Sequence, residues 1–308
     1  MKKHYLILTF FVLLIINGCA GLTSRTGSDG PLTGSPNGVE IKFLPEQPPL
    51  ELFEGSDVIV GLELENNAAC DAIGSVCIND LAPSSRGGVI EPICNSLNIA
   101  GARTENNKPS IEKDEFYTRI PSYTGIDRPE GLPVTLEAIA TYNCKIIAGP
   151  QLCVKSTIGQ DTSCPNAETI TGTRLRASVG PITITEIKKT FAPESGGVRL
   201  VTDITLSKMN QGYISNQESI QNPLAISQED PISILVDFEG NQMSCSGNDF
   251  RDNKLYWKVT DKNKKTIKCN TLIGIVDRVD GYLNINLDYV YKTTESKSIK
   301  ITKLTQNA

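Results

Sequence analysis

The chain reads as all-β, built of two tandem antiparallel β-sandwiches, and three observations carry that expectation. Apolar residues recur with period two in short stretches. Clusters of Gly, Pro, Asn and Ser separate those stretches, and no segment holds a helical period for long. The pattern then restarts after roughly 140 to 150 residues, as two copies of one unit would.

Taken in order, the chain opens on Lys2 and Lys3, an apolar run over residues 6–16, and Asn17-Gly18-Cys19. The run is about half of the roughly 20 residues a helix needs to cross a membrane, so it reads as a secretory signal peptide over 1–18. Ile16-Asn17-Gly18-Cys19 has the order of a lipobox, with Asn17 the unusual member, and makes Cys19 the expected lipid attachment site. A diglyceride supplies the two chains that stable anchoring requires, which places the remainder outside the cytoplasmic membrane. Residues 20–38 are almost free of large apolar side chains; with Cys19 they form a flexible linker over 19–38, whose reach is on the order of 24 Å.

The first sandwich is expected over 39–160. Its strands are read at 39–43, 57–65, 75–79, 88–93, 115–120, 134–143 and 152–157, with Pro45 to Pro49 breaking the pattern after the first. In the sixth, Val134, Leu136, Ala138, Ala140 and Tyr142 alternate onto one face. A Ser/Thr/Pro/Asn-rich stretch then suggests a linker over 161–178. The second sandwich follows over 179–305, with strands at 182–187, 198–206, 232–238, 254–259, 266–270, 282–291 and 298–304. Between them, residues 209–231 form a long polar connection with room for a short helical excursion. The two halves match in detail. Phe43-Leu-Pro parallels Phe191-Ala-Pro, and the strand from Gly131 to Tyr142 parallels the one from Gly281 to Tyr291. A tyrosine ending such a strand buries its ring while its hydroxyl bonds nearby backbone.

Composition narrows function. Hydrophobic residues at 39% and charged ones at 21% suit a globular protein rather than a disordered one. The formal charge of −5 becomes −7 once Lys2 and Lys3 leave with the signal peptide, which argues against nucleic acid or anionic lipid as partners. The single histidine, His4, lies in that peptide, so no Ser-His-Asp or Cys-His machinery and no His-ligated zinc is expected downstream.

Eight cysteines follow Cys19: Cys70, Cys77, Cys94, Cys144, Cys153, Cys164, Cys245 and Cys269. An even number in an exported chain reads as disulfides. Proximity pairs Cys153 with Cys164 and Cys245 with Cys269; Cys70 with Cys77 and Cys94 with Cys144 follow by elimination. No C-x-x-C pair is present, and no metal or cofactor is expected.

Other polar clusters have bland readings. Asp249, Asp252, Asn253, Asp277 and Asp280 could offer oxygens to calcium, but no EF-type loop is present and turn residues are the favoured reading. Glu112, Asp114 and Glu115 lack the partner carboxylate and aromatic platform of a glycosidase and read as a solvated face. Trp257, the sole tryptophan, could stack on sugar but sits on a period-two strand and reads as core. Arg86-Gly87-Gly88 lacks the Gly-Lys-Ser/Thr ending of a phosphate loop and reads as a turn.

Val39-Glu-Ile-Lys-Phe-Leu-Pro with Phe53-Glu-Gly and Leu62-Glu-Leu-Glu-Asn-Asn resembles the opening of the immunoglobulin-like domains in archaeal S-layer-related and cell-adhesion-related (CARDB-like) surface proteins. Residues 140–154, followed by Cys164, are similar to their closing strands and cysteine loop; residues 84–125 depart from the pattern. The resemblance implies two immunoglobulin-like modules of a cell-surface lipoprotein with a structural, adhesive or ligand-presenting role, and not an enzyme. The membrane is then a partner through the N-terminal lipid, alongside a cell-envelope protein or polysaccharide. Alternatives from other classes are a solute- or polysaccharide-binding lipoprotein, and an accessory subunit of an envelope or secretion complex.

Overall fold

The computed structural model describes residues 34–82, 84–105, 108–157, 163–209, 212–225, 229–258, 263–274 and 277–303. The segment read as a signal peptide, Cys19 and the linker as far as residue 33 lie outside the described residues. Strand accounts for 65% and helix for 4%, so the fold is all-β, with open, largely antiparallel sheets.

The strands of the first half are β1 (Val39–Phe43), β2 (Glu51–Phe53), β3 (Val58–Asn66), β4 (Ala72–Asp80), β5 (Ile93–Ile99), β6 (Arg103–Glu105), β7 (Lys108–Ser110), β8 (Glu112–Ile120), β9 (Leu132–Ala148) and β10 (Gln151–Lys155). After them come β11 (Ala167–Thr171), β12 (Ile182–Glu194), β13 (Gly197–Lys208), β14 (Tyr213–Ser215), β15 (Glu229–Phe238), β16 (Asn241–Gln242) and β17 (Ser244–Ser246). The last are β18 (Phe250–Arg251), β19 (Lys254–Lys258), β20 (Lys264–Ile273) and β21 (Arg278–Thr302).

A three-stranded sheet runs β1-β3-β8 and a five-stranded one β11-β12-β13-β20-β17. The largest sheet has the main path β18-β19-β15-β21-β9-β4-β5. The same arrangement therefore occurs twice: β1-β3-β8 with β5-β4-β9, then β12-β13-β20 with β19-β15-β21. The copies join where β9 meets β21, which pair antiparallel from Leu132↔Ile301 to Ala148↔Ile285. Strands from both sides of residues 161–178 thus share one sheet, and buried apolar residues of both halves form one continuous cluster.

Alternation explains why β9 is so long. Its expected inner face is buried at Val134, Leu136, Ala138, Ala140 and Tyr142 and continues through Cys144, Ile146 and Ala148. On β21, Leu283, Ile285, Leu287, Tyr289, Tyr291, Ile299 and Ile301 lie on the matching face. Each large aliphatic in these rows contributes about 1.5–3 kcal/mol by leaving water.

Several expectations need correction. Residues 282–291 and 298–304 were expected as separate strands, but β21 runs through both. The polar run from Thr293 to Ser298 faces solvent while its backbone pairs Ala140 to Thr135, so pairing replaces side-chain burial there. Residues 88–92 form no strand; strand structure starts at Ile93. Residues 161–178, expected as a linker, contain β11, which pairs β12 from Ala167↔Thr190 to Thr171↔Glu186. The short helical excursion expected within 209–231 is present as Glu218–Gln221, and the same stretch adds β14.

The tyrosine hydroxyls also bond at long range, not locally. The Val39 N–H donates to the Tyr142 hydroxyl (3.0 Å) and the Ile182 N–H to that of Tyr289 (3.1 Å), so each fastens the first strand of its half across the sandwich. These equivalent bonds match Tyr142 with Tyr289, two residues before the Tyr291 that sequence comparison selects.

All eight described cysteines are paired, as Cys70–Cys144, Cys77–Cys94, Cys153–Cys164 and Cys245–Cys269. The last two agree with expectation; the pairing of Cys70 with Cys77 and of Cys94 with Cys144 does not. Cys70 lies just before β4 and Cys77 within it, and seven residues of extended chain span roughly 23 Å, far beyond the reach of a disulfide. Instead Cys77 meets Cys94 directly across β4–β5, and Cys70 meets Cys144 of the neighbouring β9.

Candidate functional site

The end of β4 and the turn that returns to β5 form the most elaborate polar construction on the surface. Asp80 closes β4 almost fully buried. Its carboxylate accepts from the Val89 N–H (2.7 Å), the Tyr123 hydroxyl (2.7 Å) and the Ala82 N–H (3.1 Å). Burial, then the hydrogen bond to Asp80 and its charge, pushes the Tyr123 phenol well above its ordinary range. Gly87 and Gly88 take φ of 81° and 75°, and a Cβ on Gly88 would strike both Asp80 and the Tyr123 ring. Arg86 pairs with both oxygens of Asp127 (3.1 and 3.2 Å), and its hydrogen bond holds that carboxyl below the usual range. Arg86 closes a short 3-10 helix, Ser84–Arg86, and Gly87 forms an isolated β-bridge with Tyr123, so the chain reversal expected at Arg86-Gly87-Gly88 takes this form.

Beyond the turn, residues 88–91, Ile93 and Pro121 line a shallow hollow of about 260 Å³. Ile90 stands 72% exposed beside it. From there β5 forms the free border of the largest sheet, held to β4 by seven consecutive register pairs and the Cys77–Cys94 bond.

A second construction covers the outer face of the largest sheet where β9 meets β21. Ser75 Oγ donates to the Ile220 carbonyl (2.7 Å) and Gln217 Nε2 to Asn143 Oδ1 (2.6 Å), fastening the 213–225 excursion over the join. Lys292 donates beneath it to the Pro223 carbonyl, near the Tyr213 ring. Burial lowers the pKa of this ammonium, opposed by the charges of Glu137 and Asp230. Inside the second half, Lys189 is fully buried. Its ammonium donates to the Cys153 carbonyl (2.9 Å) and lies 3.3 Å from Glu168. Burial lowers its pKa, and Glu168 opposes that shift. Neither lysine stands out in the sequence, because each belongs to an ordinary alternating strand and its burial depends on distant elements.

The other singled-out residues have structural roles. Trp257 is buried within the continuous apolar cluster, as expected, with the Lys265 ammonium 5.8 Å from its ring centroid. Asp249, Asp252 and Asn253 adopt left-handed turn conformations. Lys265 binds Asp249 at 2.9 Å and Arg278 binds Asp280 at 2.8 Å. Asp277 lies one residue before β21. Glu112 accepts from the Ala100 N–H (2.5 Å), Asp114 from the Glu115 N–H (2.9 Å) and Glu115 from the Tyr117 hydroxyl (2.6 Å). Among the described residues, no group of three or more His, Cys, Asp or Glu side chains is placed to hold a metal ion. No described helix is long and apolar enough to cross a membrane.

No protein-family model matches the chain, and comparison with curated proteins returns no match.

Proposed function

We propose that the chain is a lipid-anchored, non-enzymatic protein of the cell envelope, whose two immunoglobulin-like sandwiches have a structural, adhesive or ligand-presenting role outside the cytoplasmic membrane. The observation that carries this reading is the pairing of Cys70, Cys77, Cys94, Cys144, Cys153, Cys164, Cys245 and Cys269 into four disulfides. Such density belongs to an oxidising compartment. With nine cysteines in the sequence, Cys19 is the one left over, in the lipobox-like site at the end of the leading apolar run.

Strand order supports the immunoglobulin-like type. In that reading β1, β3 and β8 take the places of strands A, B and E, while β4 and β9 take C and F. The place of strand G beside β9 is filled by β21, and the place beside β21 by β9 and β10. Each half completes the other, which suits a stiff surface module. Asp249, Asp280, Glu112, Asp114 and Glu115 support the same role, since their carboxylates are engaged with Lys265, Arg278, two backbone N–H groups and the Tyr117 hydroxyl respectively. A CARDB-like, S-layer-related module is the kind of surface protein this reading favours, with an envelope protein or polysaccharide as partner.

Fractionation tests the anchor. The parent chain is expected in the membrane fraction and the Cys19→Ala chain in the soluble one. Equal recovery of both with membranes would sink the lipid anchor.

A further inference from the structure

We propose that the free edge of β5 pairs antiparallel with β5 of a second copy of this chain, joining the largest sheets of the two copies into one. This goes beyond the anchoring and surface role above and does not depend on them.

The backbone is set for it. Cys77 and Cys94 face each other with Cα atoms 4.0 Å apart, the closely spaced kind of antiparallel pair that exchanges no hydrogen bonds. The bonds to β4 therefore come from Ile93, Asn95, Leu97 and Ile99, and the N–H and C=O groups of Cys94, Ser96 and Asn98 point outward. Neither strand pairing nor loop hydrogen bonding engages those groups among the described residues.

Edges left open in this way usually carry charge or are kept short. The other outer strands follow that rule. β1 carries Glu40 and Lys42, β8 five charged residues among nine, and β11 Glu168, while β17 has three residues and β18 two. β19, the counterpart of β5 in the second half, is covered by β18 and carries Lys254 and Lys258. β5, Ile93-Cys-Asn-Ser-Leu-Asn-Ile99, has seven residues and no charge, proline or bulge.

Charge and shape select a second copy as the occupant. The chain is acidic overall, so like copies repel except where they meet through a neutral surface, and β5 is neutral along its length. A two-fold register centred on Ser96 aligns Cys94 with the partner strand's Asn98 position and Ser96 with itself, giving hydrogen-bonded pairs at every outward backbone group. On the inner face the same register sets each Ile93 against an Ile99 position, so apolar side chains meet at both ends. The disulfide to β4 keeps this edge in register before association.

Sedimentation equilibrium tests this on the full chain carrying Cys19→Ala, so that neither lipid nor micelle holds copies together. The chain is expected to double its mass with rising concentration. Adding Ser96→Lys or Ser96→Glu places like charges on the two-fold axis, and each variant should stay monomeric with its melting temperature unchanged. An equimolar mixture of the two should recover the dimer as a heterodimer. A parent that stays monomeric up to about 100 µM, the weak end of specific association, overturns the proposal and leaves the edge to a strand of another protein. A dimer that Ser96→Lys does not disturb overturns it as well, because the interface then lies elsewhere.

Discussion

Replacing Cys70 and Cys144 together by alanine is expected to lower stability by about 4 kcal/mol, the largest loss for any of the four disulfides. The bond joins the approach to β4 with β9 across 74 positions of sequence. A longer closed loop removes more freedom from the unfolded chain; by the same reasoning, the 11-position link between Cys153 and Cys164 contributes about 3 kcal/mol. Denaturant titration of the double variant against the parent measures the loss. Peptide mapping without reduction should recover Cys70 linked to Cys144 and Cys77 linked to Cys94. A fragment joining Cys70 to Cys77, or a loss under about 1 kcal/mol, contradicts the arrangement.

Stability should also collapse steeply above pH 10. Burial holds the phenols of Tyr123, Tyr142, Tyr289 and Tyr291 above the ordinary tyrosine value of 10.0, with Asp80 adding to the effect at Tyr123. Below pH 10 both states keep these protons and the contribution is constant. Above it the unfolded chain releases them while the folded chain retains them, so stability falls as pH rises. Four such groups give a slope of about 5 kcal/mol per pH unit. Two of the phenols should then be separable by substitution. Tyr142→Phe leaves the buried Val39 N–H without its acceptor and should cost about 1–3 kcal/mol. The buried Tyr291 hydroxyl has no hydrogen-bond partner among the described residues, so Tyr291→Phe should be neutral or stabilising. Denaturant midpoints across pH 8 to 11, read for the parent and both variants, check slope and contrast together. A flat profile, or equal losses from the two substitutions, contradicts this picture of the core.

Local signals in the chain were legible where a strand alternates and ends at turn residues. β1 and the inner face of β9 follow directly from period two, and Cys153–Cys164 and Cys245–Cys269 from short spacing. What escaped depends on partners distant in sequence. The polar stretch of β21 looks like a loop until β9 supplies its hydrogen bonds, and β11 looks like a linker until β12 lies beside it. Cys70 and Cys77 are neighbours in sequence but separated along extended chain, so proximity misleads there. The candidate site was the least legible part. Arg86-Gly87-Gly88 could be read as a turn, but neither the burial of Asp80 under Val89 and Tyr123 nor the open edge of β5 leaves a motif.

The most direct test of the shared sheet is a set of cross-strand amide NOEs between residues 132–148 and 285–301 of the perdeuterated chain. Contacts along the whole ladder, including Ala140 with Thr293 at its centre, are predicted. Cross-strand contacts confined to pairs within 34–157 and within 163–303 would show that the two halves keep separate sheets, and would contradict the account.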